Sequence, residues 1–219
     1  MKITYWSDFN CPYSFIGLNR LTRAINELGL RFEWEMKSYE LITNLHNTQT
    51  TQYIQTIKYN QTPKEAQKEI REIEKIARNE GLAINYENTI ITNTKNAHRL
   101  VKFTQNKKPE KSQDLIFKIF EATFIDNKNI NQNETLIEIG KSVGFSENEL
   151  EKMILSDAYE IEVAIDNEDA RFNGIYYTPC YILSINDEQL TIPGVFEKKD
   201  FKIAIKDMIS GEIKKKTFL

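Results

Sequence analysis

The strongest constraint on this chain is a change of period within its first 36 residues. Residues 2–6 alternate Ile3 and Tyr5 with polar neighbours, the pattern of a strand. Residues 13–28 then carry Phe15, Ile16, Leu18, Leu21, Ile25 and Leu28 at helical spacing, and Gly29 supplies a stop. Residues 31–36 alternate again. Strand, helix and strand in so short a length spell the opening of a βαβ unit, whose strands pair in parallel.

From about residue 44 to 155 the period is helical almost throughout. The clearest start is Thr62-Pro63-Lys64-Glu65, where Thr62 caps, Pro63 takes the first turn and Glu65 returns the hydrogen bond. Ile70, Ile73, Ile76 and Ala77 mark the buried stripe of that helix. Further helices are expected near 96–103, 113–125, 134–143 and 147–154, separated by turns at Pro109, Asp126-Asn127 and Gly144. Asp157 can cap another helix to about Phe172. Residues 181–185 and 189–192 then flank Asn186-Asp187-Glu188 as a hairpin, and Phe201, Ile203, Ala204 and Ile209 close the chain with a helix. The order predicts an α/β protein with a mixed sheet covered by helices. Residues 1–43 and 157–219 form the sheet-bearing domain, and residues 44–156 form an inserted all-helical domain.

Composition narrows the function. With 219 residues, 40% hydrophobic and 28% charged, the chain can bury a substantial core. The net charge of -3, with Lys and Arg scattered among Asp and Glu, gives no footprint for nucleic acid or an anionic membrane. No apolar run approaches a membrane span, and the opening residues lack a signal-peptide layout, so a cytoplasmic protein is expected. His46, His98, Cys11 and Cys180 share no spacing that a zinc site uses, so no metal is expected. Nucleotide-binding and hydrolase motifs are absent. In a reducing compartment the two distant cysteines are not a disulfide framework; their role is chemical or merely apolar.

Cys11-Pro12-Tyr13-Ser14 lies at the junction of the first strand and first helix, where unpaired N–H groups and the positive end of the helix dipole converge. A cysteine so placed can have its pKa drawn from about 8.5 into the range of about 3.5 to 7.5, and the Ser14 hydroxyl can add a hydrogen bond to the sulfur. Cys11 is therefore expected to be partly exposed and to react faster than Cys180, which a strand after a proline would turn into the core. A Cys11–Cys180 disulfide would need Cα atoms within about 7 Å. Thr178-Pro179 fits either a plain turn or a fixed cis bond. Asn93 or Thr94 can cap a helix that carries His98 and Arg99 one turn in.

The chain resembles the FrnE-like branch of the DsbA family, which is related to the 2-hydroxychromene-2-carboxylate isomerases and kappa-class glutathione transferases. The resemblance rests on Ser7-Asp8-Phe9-Asn10-Cys11-Pro12-Tyr13-Ser14-Phe15-Ile16-Gly17, on Tyr39-Glu40-Leu41, on Asn93-Thr94 with Ala97-His98-Arg99-Leu100, on residues 117–130, on Gly144-Phe145 and on Thr178-Pro179. It implies a thioredoxin fold with an inserted helical domain. It further implies that Cys11 is the nucleophile, that Thr178-Pro179 is the cis-proline loop whose backbone pairs with substrate, and that His98 faces the cleft between the domains. Ser14 stands where a dithiol member has its resolving cysteine, so a mixed disulfide on Cys11 must be resolved by another thiol.

The reading that follows is a monothiol thiol-disulfide oxidoreductase, with Cys11 and Ser14 catalytic and Pro12, Tyr13, His98, Thr178 and Pro179 shaping the substrate cleft. No tightly bound cofactor is expected; glutathione or another low-molecular-weight thiol would serve as co-substrate. Partners are protein or small-molecule thiols and disulfides, with the protein a monomer or homodimer. Two alternatives stay open: a glutathione-dependent transferase or isomerase, in which Ser14 or Cys11 donates a hydrogen bond to a bound thiolate, and a redox-silent binding protein of the same fold.

Overall fold

The computed structural model describes residues 1–43 and 45–212. Strand β1 (Lys2–Ser7) leads into helix α1 (Pro12–Glu27) and strand β2 (Glu33–Ser38). β1 and β2 pair in parallel, from Lys2 opposite Glu33 to Ser7 opposite Ser38. A helical segment follows: a two-residue strand β3 (Gln49–Thr50), then α2 (Thr51–Lys58), α3 (Pro63–Asn79), strand β4 (Ile90–Ile91), α4 (Lys95–Lys107), α5 (Ser112–Phe124), α6 (Asn133–Ser142) and α7 (Glu147–Ile154). The chain returns through α8 (Glu160–Phe172), β5 (Cys180–Ile185), β6 (Glu188–Pro193) and α9 (Lys198–Ser210).

The sheet has the order β2-β1-β5-β6, with β5 antiparallel to both neighbours. Asn186 and Asp187 turn the hairpin with φ of 49° and 63°, the two-residue left-handed turn whose twist suits the flanking strands. Alternation along the strands separates two faces. Ile3, Tyr5, Tyr181, Leu183 and Ile185 join the core beneath α1 and α9, whereas Trp6, Cys180 and Ile182 pack with Ala170 of α8. The helical segment shares the first of these cores: Phe15 of α1 stacks on Phe120 and Phe124 of α5 at 5.3 and 6.4 Å. It also closes the exposed edge of β2, where Lys102 and Gln105 of α4 donate to the Met36 carbonyl at 3.3 and 3.2 Å.

This is the expected thioredoxin-type sheet with a helical insertion between β2 and α8. The capping box at Thr62 and Glu65 forms as the sequence predicts. The inserted segment adds two features to the expectation, helix α2 and the β3–β4 ribbon, which pairs Gln49 with Ile91 and Thr50 with Ile90. The expected boundary at residue 44 and the final residues 213–219 lie outside the described residues. Among the described residues, no helix is long and apolar enough to cross a membrane, and no group of His, Cys, Asp and Glu could hold a metal.

Candidate functional site

Cys11 is the N-cap of α1, with extended backbone (φ -100°, ψ 106°) and no side-chain capping bond, and Pro12 takes the first helical position. Its amide donates to the Asp8 carbonyl at 3.1 Å, and its carbonyl accepts from Ser14 N–H at 3.0 Å, which fixes the loop. From the opposite side, the loop before β5 brings Thr178 to the sulfur: Cys11 Sγ donates to the Thr178 carbonyl at 3.4 Å. The Thr178–Pro179 peptide is cis.

The sulfur is less exposed and less acidic than the sequence suggests. Cys11 is only 6% exposed and Cys180 3%. Both are free thiols. Burial pushes the Cys11 thiol up, and the charge of Asp8 adds to the rise; the side chains of Ser14 and Thr178 and the Ser14 amide pull in the other direction. The helix start alone therefore does not set this thiol, because the loop that supplies its hydrogen bonds also removes its water. Cys180 is also pushed up by burial. It pairs with Trp6 across the sheet and packs toward α8, on the face away from α1.

Ser14 is buried, and neither its hydroxyl nor that of Thr178 has a hydrogen-bond partner. Both hydroxyls can donate to a thiolate, which explains their sign in its titration. Cys11, Pro12, Tyr13 and Thr178 open onto a cleft of about 410 Å³. Ser14 and Pro179 lie behind it. Pro179 packs against Gly17: a Cβ at Gly17 would meet Pro179 Cγ at 3.3 Å and the Tyr181 hydroxyl at 2.5 Å. The glycine thus permits the close approach of α1 and the proline loop.

His98 is not brought to the cleft. It is fully buried behind the β1–α1 loop, 5.1 Å from the Phe9 ring, with Nε2 3.3 Å from Asp8 Oδ1. The other Asp8 oxygen accepts from Leu41 N–H at 2.9 Å. His98 therefore holds the carboxylate that ties the Cys11 loop to the loop after β2, a correction to its expected place on the substrate face. Its neighbour Arg99 is also structural. The guanidinium takes the carbonyls of Met153 and Ala158 at 2.9 and 2.8 Å, with Ser156 and Ile154 beside them, at the end of α7.

The far wall of the cleft belongs to the inserted segment, through Gln55, Lys58, Tyr59, Glu69 and Tyr86. Tyr39, Glu40 and Leu41 complete one end, and the exposed Tyr176 and Tyr177 the rim. Sequence reading assigned no role to Asp8, Gly17, Gln55, Lys58 or the wall tyrosines. The pair Gln55 and Lys58, three apart after the helix-capping Thr50, is the signal that could have been read. Burial pushes the Tyr59 phenol up to about 12 and raises the Glu40 carboxyl.

Residues 2–206 match the model of the DSBA-like thioredoxin domain. A search of curated proteins finds no relative. The fold is similar to that of a probable DsbA oxidoreductase from Streptomyces coelicolor, with a TM-score of 0.86 and 24% identity over 97% of this chain and 91% of that one. It is similar to 2-hydroxychromene-2-carboxylate isomerase, with a TM-score of 0.65 and 14% identity over 99% and 98% of the two chains. It is also similar to the cytosolic disulfide reductase DsbM from Pseudomonas aeruginosa, solved with GSH, with a TM-score of 0.65 and 12% identity over 96% and 100%.

Proposed function

The chain belongs to the DSBA-like thioredoxin domain family, and from this we propose that it is a cytoplasmic thiol-disulfide oxidoreductase working through one cysteine, Cys11. The observation that carries the reading is the contact of Cys11 Sγ with the Thr178 carbonyl, at a cleft that no other cysteine among the described residues lines. The Cys11 thiolate attacks one sulfur of a substrate disulfide. A new S–S bond forms to Cys11, the substrate bond breaks, and the departing thiolate takes a proton. A second thiol then attacks the mixed disulfide and frees Cys11, so one disulfide is exchanged for another. Because Ser14 holds the position of a resolving thiol, that second thiol comes from outside the motif. Glutathione or another low-molecular-weight thiol suits the role, in keeping with the GSH found with the DsbM neighbour. We assign residues 1–43 and 157–219 to a thioredoxin-like domain and residues 44–156 to a helical insertion domain that closes the cleft.

A second reading, a glutathione-dependent transferase or isomerase in which the bound thiolate belongs to the ligand, draws on the Ser14 hydroxyl, which has no partner but lies behind Cys11 rather than in the cleft lining. One pair of variants separates the two. Cys11→Ser should abolish disulfide exchange, and Ser14→Cys should gain a motif disulfide and dithiol activity, measured by insulin reduction and by mass after oxidation. Full exchange activity in Cys11→Ser, or no motif disulfide in Ser14→Cys, would overturn the monothiol assignment.

A further inference from the structure

We infer that Lys58 is the counter-ion of the Cys11 thiolate, supplied by the inserted helical segment rather than by the sheet that carries the cysteine. The inference deepens the function proposed above and rests on Cys11 being the reactive thiol.

Lys58 is the last residue of α2 and lines the cleft that Cys11 opens onto. Among the described residues it is the sole Lys, Arg or His in that lining. Its ammonium donates to the Leu41 carbonyl. Leu41 N–H in turn donates to Asp8 Oδ2, and the Asp8 carbonyl holds the Cys11 amide. The cation is thus fixed on a loop that is itself tied to the thiol's own loop. No carboxylate among the described residues lies within ion-pair distance of Lys58. The exposed ammonium has the Leu41 carbonyl and the Tyr59 ring, 5.6 Å away, as its partners; neither carries a compensating charge, and an anion arising in the cleft supplies one.

The remaining charges cannot do this. Asp8, Glu40 and Glu69 are carboxylates, and Tyr13, Tyr39, Tyr59 and Tyr86 are phenols; ionised, each opposes a thiolate. His98 lies behind Asp8, outside the cleft lining. Burial lowers the Lys58 ammonium, and negative charge at Asp8, then at Cys11, acts against that fall. When Cys11 ionises, its proton leaves to solvent and the sulfur's charge develops in the cleft that the ammonium also lines. A nucleophile held on α1 then depends on a helix from a different part of the fold for its charge balance.

The test measures how fast Cys11 is alkylated by iodoacetamide across pH, with the labelled peptide counted by mass spectrometry. Lys58→Met is expected to slow alkylation about threefold at neutral pH, because an opposite charge lining the cleft supports the charged form, and to move the profile to higher pH. Lys58→Arg should restore the parent profile. Should Lys58→Met unfold, Lys58→Gln carries the same expectation with a polar chain of similar reach. A neutral variant whose profile overlays the parent's, or an Arg variant as slow as the neutral one, would overturn the inference. Disulfide exchange is not the readout: ionisation of Cys11 is measurable even in a protein that exchanges nothing, so the two readings fail separately.

Discussion

Cys11 stands at the start of α1, and His98 stands one turn into α4, each just after a short polar loop. Around Cys11 the polar atoms remain partly unclaimed: the hydroxyls of Ser14 and Thr178 have no partner, and the cleft lies open in front of the sulfur. Away from the cleft, Asp8 takes His98 Nε2 while Nδ1 has no partner, and the carbonyls ending α7 take the Arg99 guanidinium. Two motifs of similar appearance are thus put to opposite uses. Unspent hydrogen-bonding capacity beside a cavity can serve a ligand or a changing charge; capacity already matched within the core serves the fold.

Arg99 offers the most severe test of this contrast. Arg99→Ala leaves several carbonyls at the end of α7 without their donor, and should cost about 3 kcal/mol, roughly a hundredfold in the folding equilibrium. Chemical denaturation measures that loss, and the alkylation profile of Cys11 should be unchanged in the folded variant. A folded, fully stable Arg99→Ala protein with altered Cys11 reactivity would place Arg99 with the cleft instead.

The next effect concerns reactivity rather than stability. The Cys11 thiol is raised by burial, so at neutral pH its thiolate fraction is below that of a free cysteine. Alkylation should therefore lag a small cysteine peptide near pH 7 and accelerate as pH rises through the thiol's own titration. A rate near pH 7 above the peptide's would show that the hydrogen bonds outweigh burial.

Cys180 should produce the smallest change. Its side chain fills space between Trp6 and α8, so Cys180→Ala should cost about 1 kcal/mol, roughly fivefold in the folding equilibrium, with exchange activity intact. Loss of exchange in that variant would erase the difference drawn here between the two cysteines.

Local information was enough for much of the architecture. The alternation of Ile3 and Tyr5, the helical spacing from Phe15 to Leu28, the Thr62–Glu65 capping box and the hairpin turn at Asn186-Asp187 each depend on neighbours a few residues away, so the sequence determined them unaided. The Cys11 motif was legible for the same reason, as a junction between one strand and one helix. The tertiary structure decided what surrounds those elements. Only the folded chain brings Thr178 onto a sulfur 167 residues away, turns His98 toward Asp8 and carries Lys58 to the cleft wall. Burial and charge at Cys11 are sums over atoms from β1, α1, the inserted segment and the loop before β5. A thiol's ionisation depends on that sum, and no local window of the sequence contains it.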